Sequence, residues 1–330
     1  MLTAILAVLL FAVLIFPHEL GHFLMARAVG VQVNEFAFGM GPAIWQKQRG
    51  ETLYSIRIFP IGGYCAMEGE DAESDNDRAF SNKKAWQKLL VLIAGSAMNV
   101  LICVFIVTLL IGIRGTLTTK VASLDKNQPA YQAGLRAGDQ ITAVNSGSIR
   151  SWTDLSDAVQ KNHDHLKIRY IRGGKSGTVT MKAVKSGDRY VIGIMPKLDH
   201  NPLTAVRLGL KTTGSMTASL YSGLKMLITG KAKTEDVSGP VGIVSMVHQS
   251  ASEGATYFFM LMAFMSLNLA IVNMLPFPAL DGGRVIFVLI RAVTGKAVTD
   301  RMEAAVHAAG LMLLFGLMIV ITWNDIVKLM

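Results

Sequence analysis

The chain has 330 residues, 51% hydrophobic and 17% charged, with a mean hydropathy of +0.41, which argues against a wholly soluble protein and puts part of it in lipid. Its net charge of +9 comes without a basic run, an RNA-binding signature or zinc-knuckle spacing, so no nucleic-acid partner is expected. Lys and Arg distributed over the loops of a membrane protein explain the charge more simply.

Residues 1–30 read as a first membrane helix, apolar from Leu2 to Ile15 and running into Phe16-Pro17-His18-Glu19-Leu20-Gly21-His22-Phe23. The segment lacks a basic leading region and a small-residue cleavage site, so it is expected to be retained rather than removed as a signal peptide. Histidines four apart on a helix share a face, and both imidazoles can reach one metal ion. Glu19, beside the first, is a candidate general base toward a metal-activated water. Ionisable groups at membrane depth are costly and by default mark function. Pro17 marks either a kink that aims the histidines or a tolerated membrane proline.

Residues 31–88 are mixed and glycine-rich, with short strands expected over 36–42 and 52–58 and a continuation over 58–70 in which Gly62-Gly63 is a turn or close backbone approach. The acidic stretch from Asp71 to Arg78 is expected to be flexible. A hairpin beside the candidate metal site can accept an extended peptide as an added strand, or simply cover the site. A second membrane helix is expected over 89–113. Gly95, Ser96, Ala97 and Asn99 within it suit close packing, and Asn99 suits a hydrogen bond across helices. Neither Cys65 nor Cys103 has metal-binding spacing, and no disulfide between them is expected.

Residues 117–197 form an insert of about 80 residues, enough for one small domain. Residues 201–256 read as a basic amphipathic helix (Asn201 to Lys233) on the membrane surface and a linker, with a turn at Ser238-Gly239-Pro240-Val241-Gly242. A third membrane segment over 257–283 ends in Asn273-Met274-Leu275-Pro276-Phe277-Pro278-Ala279-Leu280-Asp281-Gly282-Gly283. Its prolines and glycines break the helix, so the irregular backbone must be buried in protein or line a wet cavity. Residues 284–303 read as a cytoplasmic loop and 304–323 as a fourth helix anchored by Trp323. Arg27, Lys83, Lys84 and Lys88, and then Arg291, Lys296 and Arg301, put both of these connections on the cytoplasmic side, which leaves the termini and the insert outside. A catalytic zinc takes three protein ligands and keeps an open position. Asp281, at a membrane-embedded break on the same side as His18 and His22, is the best third ligand on topology.

Within the insert, Pro129 to Asn145, with Gly134-Leu135-x-x-Gly138-Asp139 and Val144-Asn145, resembles a PDZ domain. His18-Glu19-x-x-His22, Pro60-x-Gly62-Gly63-Tyr64, this insert and Asn273-x-x-Pro276-x-Pro278-x-Leu280-Asp281-Gly282-Gly283 follow one another in the order of the site-2 protease family of intramembrane zinc metalloproteases, bacterial RseP-like branch, which the chain resembles over nearly its whole length. The resemblance implies an α-helical membrane fold of about four transmembrane helices, with a membrane-associated β-hairpin region and an inserted PDZ-like α+β domain. It implies Zn2+ held by His18, His22 and Asp281, and water activation by Glu19. Asn273 would hold the substrate backbone or the oxyanion, and Gly62-Gly63 would present a strand edge. The implied substrates are transmembrane proteins in a bacterial inner membrane, an anti-sigma factor or signal-peptide remnants among them. The chain departs from the family in carrying one PDZ-like domain where familiar members have two, and in having Ser96 where many relatives have a proline. The competing reading is a catalytically silent membrane scaffold that binds peptides through the PDZ-like domain. A metal transporter would instead put polar residues along several helices.

Overall fold

The structure is a computed structural model describing residues 1–70, 74–231, 238–295 and 299–329; Asp71, Lys233 and Lys296, used above, lie outside the described residues. Among the described residues, four helices are long and apolar enough to cross a membrane: α1 (Leu2–Ala28), α2 (Ala85–Arg114), α7 (Ala255–Asn273) and the last helix, α9, over Asp300–Leu329. Continuous helix satisfies every backbone group internally, as lipid requires. α1 runs unbroken through Pro17. Asn99, fully buried in α2, takes its cross-helix bond on its backbone carbonyl, which accepts from Ser266 Oγ of α7 at 3.0 Å, and not on its carboxamide. The contacts divide the chain into two compact units, residues 1–107 with 209–330, and residues 108–208.

In the first unit, α1 is followed by two long antiparallel strands, β1 (Val33–Arg49) and β2 (Thr52–Met67), instead of the short ones expected. Residues 35–38 pair with 53–56 on one side and 63–66 on the other, while 45–49 pair back onto 52–56. The two strands therefore double over into four ladder segments. Gly39 (φ 88°) and Gly62 (φ 97°) sit where they bend, in a backbone region that side chains disfavour. Ser55 Oγ and Arg57 Nη2 donate to Glu35 Oε1 at 2.5 and 2.7 Å, and Arg57 also donates to Tyr64 Oη, tying three of the four segments together. Phe23, Val33, Phe36, Met67, Leu92 and Val288 bury the sheet against α1, α2 and the helix that follows α7.

Two expectations are corrected in the second half of this unit. The turn at Ser238 to Gly242 is the start of α6 (Pro240–Glu253). Proline lacks the N–H that the first helical position leaves unpaired, and its fixed φ suits that position, so Gly239-Pro240 initiates a helix. The segment after Asp281 is likewise helix, α8 (Asp281–Thr294), and not loop. Val285, Ile286, Val288 and Leu289 recur at helical spacing, and Gly282-Gly283 lie in its first turn because backbone packs against them.

The second unit is built on a six-stranded sheet. Its path runs β10 (Ile194–Asp199), β3 (Thr116–Leu124), β4 (Gln140–Val144), β6 (Leu166–Arg172) and β7 (Lys175–Met181), with β5 (Gly147–Ser148) paired to β4. Helices α3 (Pro129–Gln132) and α4 (Trp152–Lys161) cover it, and a small ribbon, β8 (Val184–Ser186) with β9 (Arg189–Val191), precedes β10. This is the PDZ-like domain inserted in the membrane protein, its core made of Leu135, Ile141, Leu155, Leu166 and Ile168 among others. Helix α5 (Pro202–Ile228) follows. The Gly134 to Asp139 signature has a structural cause. Asp139, with no exposed surface, accepts from Arg136 N at 2.8 Å and from Arg172 Nε and Nη2 at 2.7 Å each. Burial alone would push its carboxyl up, but the Arg172 guanidinium and the Arg136 amide hold it below the usual carboxylate range. Asp139→Ala is expected to lower the domain's stability by about 1–3 kcal/mol, seen as earlier thermal unfolding of the full chain in detergent. Because the folded carboxyl titrates below its unfolded value near 4, this contribution is complete above about pH 4 and is lost as the pH falls through the folded value. The wild-type and Asp139→Ala unfolding curves should therefore converge toward acid.

Candidate metal-dependent active site

α1 places His18 and His22 one turn apart on a buried face, with their rings at 4.8 Å in an edge-to-face arrangement. α2 crosses α1 closely here. A Cβ at Gly95 would collide with His22 Nε2 and sit 2.8 Å from His18 Cε1, so only glycine leaves room for both imidazoles. From the same helix the Val91 carbonyl accepts a hydrogen bond from His22 Nδ1 at 2.8 Å. A carbonyl only accepts, so neutral His22 keeps its proton on Nδ1 and presents a lone pair at Nε2.

The chain leaves α7 at Asn273, passes the irregular residues 274–280, and enters α8 at Asp281. Asp281 Oδ2 thereby reaches 3.2 Å from His18 Nε2 and 3.4 Å from His22 Nε2, while the two Nε2 atoms are 3.2 Å apart. Ligand atoms of all three residues fit within 4.8 Å of one another. The His22 lone pair thus faces a carboxylate oxygen and a second imidazole, an arrangement of electron-rich atoms that a cation at its centre would relieve. Two imidazoles and one carboxylate are a donor set of catalytic zinc, with a fourth position left for water. The residues present fit the metal.

Around this cluster the predicted residues take definite places. Glu19 lines a cleft of about 540 Å³ together with His18, His22, Asp281 and residues 64–67 of β2. It also lines an adjoining cavity with Asn273. Asn273 Nδ2 donates to His18 Nε2 at 3.1 Å. Gly63 is brought against the site, since a Cβ there would lie 3.4 Å from Glu19 Cγ and 2.9 Å from the Ala37 carbonyl oxygen. Gly62 is instead the bend beside Met40 and does not join the cluster. Segment 63–67 is paired on one side only among the described residues, and residues 64–67 line the cleft. Two contributors lay beyond sequence reasoning: the Val91 carbonyl, and Arg284, which pairs with Glu70 one turn after Asp281; His307 of α9, a histidine set aside as a third ligand, also lines the cleft. Only the run Asp281-Gly282-Gly283-Arg284 carried any hint, in a charge at helical spacing from the carboxylate.

A buried two-histidine, one-carboxylate cluster with a glutamate beside it, set among membrane helices, defines a membrane metalloprotease. Comparison with known proteins gives the family: residues 6–317 match Peptidase family M50, and the chain belongs to this site-2 protease family. It is similar to the regulator of sigma-W protease RasP of Bacillus subtilis, with 32% identity covering 99% of each chain. A protein of Clostridium acetobutylicum, whose name assigns it provisionally to the zinc metalloproteases, is 39% identical over 98% of this chain and 97% of its own. Among solved structures, the PDZ domain of an SdrC-like protein from Listeria innocua is 31% identical, covering 25% of this chain and 97% of that one at a TM-score of 0.23. The protein is a zinc metalloendopeptidase that acts on membrane proteins in the bilayer. Because Gly95 makes the space the imidazoles occupy, Gly95→Ala is expected to lower zinc affinity by about 10-fold or more, measured by chelator competition on the purified chain.

Proposed function

We propose that His18, His22 and Asp281 hold the catalytic zinc, and that Glu19 is the general base of intramembrane peptide hydrolysis. The observation that carries this reading is the convergence of the three ligand atoms within 4.8 Å, in a cleft that Glu19 also lines. When bound, zinc makes water nucleophilic near neutral pH and polarises the scissile carbonyl. Glu19 takes the proton from the attacking water and returns it to the departing amide nitrogen. Asn273, hydrogen-bonded to His18, is suited to hold the substrate backbone or the oxyanion.

A substrate helix has its amides tied up in its own hydrogen bonds and must unwind before attack. The open edge of residues 63–67 offers replacement bonds to an extended segment, with Gly62 shaping the bend that presents this edge and Gly63 its approach to Glu19. The candidate substrates are single-pass membrane proteins already shortened outside the cytoplasm, an anti-sigma factor or a signal-peptide remnant. The name of the Bacillus subtilis relative, a regulator of a sigma factor, favours the first. Arg27, Lys83 and Lys84 with Arg291 and Arg301 favour a cytoplasmic active-site side, and the PDZ-like domain is then outside, where it restricts entry. Relatives from bacteria support a bacterial inner membrane. The silent-scaffold reading is disfavoured, since it has no use for a buried ligand cluster with Glu19 beside it.

Glu19→Gln is expected to cut cleavage of a membrane-anchored substrate by about 10²–10⁴-fold while zinc stays bound. Unchanged cleavage would remove Glu19 as the base. Metal analysis of two further variants separates the neighbours: Asp281→Ala should lose zinc and Asn273→Ala should keep it. Equal retention in both would remove Asp281 from the ligand set.

A further inference from the structure

The backbone that delivers Asp281 is held from outside the metal cluster. Ala279, two residues earlier, has φ 75°; with Asn145 it is one of two non-glycine residues at positive φ among the described residues. Alanine in the left-handed region costs about 1–2 kcal/mol and persists where the surroundings over-determine it. Pro276 and Pro278 have no N–H to offer. Phe277 N donates to Leu275 O at 2.7 Å and Leu280 N to Phe277 O at 3.2 Å, so both bonds stay within the loop. The Ala279 N–H leaves it and donates to His307 Nδ1 of α9 at 2.8 Å. With Nδ1 accepting, a neutral His307 carries its proton on Nε2, the side on which Glu303 Oε1 lies 3.9 Å away. One turn further along α9, a Cβ at Gly310 would come within 2.7 Å of the Pro278 carbonyl oxygen, so the helix backbone is seated on the same loop. His307 and Gly310, three apart, share the helix face that meets residues 278–279.

We propose that His307 is a positioning residue for the metal centre: by accepting the Ala279 N–H it fixes the left-handed turn that sets Asp281 against His18 and His22. The proposal rests on the reading of Asp281 as a zinc ligand. It makes α9, which shares no ligand with the cluster, a determinant of how tightly the metal is held.

The test uses the full chain, zinc-loaded in detergent, and follows zinc release to a chromophoric chelator. His307→Leu is expected to release zinc about 10–100-fold faster, the usual cost of removing an outer-shell partner. His307→Asn, whose Oδ1 takes the place of Nδ1, should stay close to the unmodified chain. The double variant Ala279→Gly with His307→Leu should recover much of the loss, because glycine adopts positive φ without help. This pair answers the question even if His307→Leu alone folds poorly. Unchanged release from His307→Leu, or equally fast release from the Asn and Leu variants, would overturn the proposal. An unmodified chain that binds no zinc would instead overturn the ligand reading itself, a result visible before any His307 variant is made.

Discussion

Three electron-rich atoms that face one another inside a membrane protein are the constraint on which the rest of this structure depends. The His22 proton is committed to the Val91 carbonyl, so its remaining nitrogen points a lone pair at His18 Nε2 and Asp281 Oδ2. Such a triangle suits a cation at its centre. Each element around it serves the close approach: α2 gives up a side chain at Gly95, α7 ends at Asn273, and α8 starts on the carboxylate.

Hydrolysis inside a bilayer needs backbone that is not helix, and the chain keeps it in two places. One is the loop of residues 274–280, whose amides are shared among the end of α7, the loop itself and α9. The other is the doubled hairpin, whose bends leave residues 63–67 with an unpaired edge beside Glu19. Residues 64–67 of the hairpin and 279–280 of the loop both line the cleft. Glu19, the two histidines, Asp281 and residues 64–67 are in this way brought to one cleft.

Much of this was legible in the sequence, for identifiable reasons. Long apolar runs announce membrane helices without needing periodicity, and His18-Glu19-x-x-His22 carries its geometry in its spacing. Asp281 stood out because a carboxylate in an apolar break has few uses. Local signals failed where tertiary packing decided. Gly282-Gly283 looked like a breaker, yet both sit in the first turn of α8 because the carbonyls of Met274, Leu275 and Phe277 crowd against them. Gly239-Pro240 looked like a turn for the same reason, since Pro marks turns and helix starts alike. The length of β1 and β2 was hidden because glycines within a strand read as its ends. His307 stood out only as a histidine early in the last helix, weighed as a third ligand and set aside for Asp281; its contact with a backbone N–H 28 residues away left no trace in the sequence.

The wide spacing of the cluster along the chain has a consequence for biosynthesis. His22 leaves the ribosome about 260 residues before Asp281. At roughly 5–20 residues per second this is a delay of about 15–50 s, during which α2 and the PDZ-like domain are made and the carboxylate does not yet exist. A chain caught part-way through insertion carries His18, Glu19 and His22 but lacks the carboxylate that completes the cluster. The cluster is therefore complete only once α8 has begun, so its assembly waits on the last quarter of the chain.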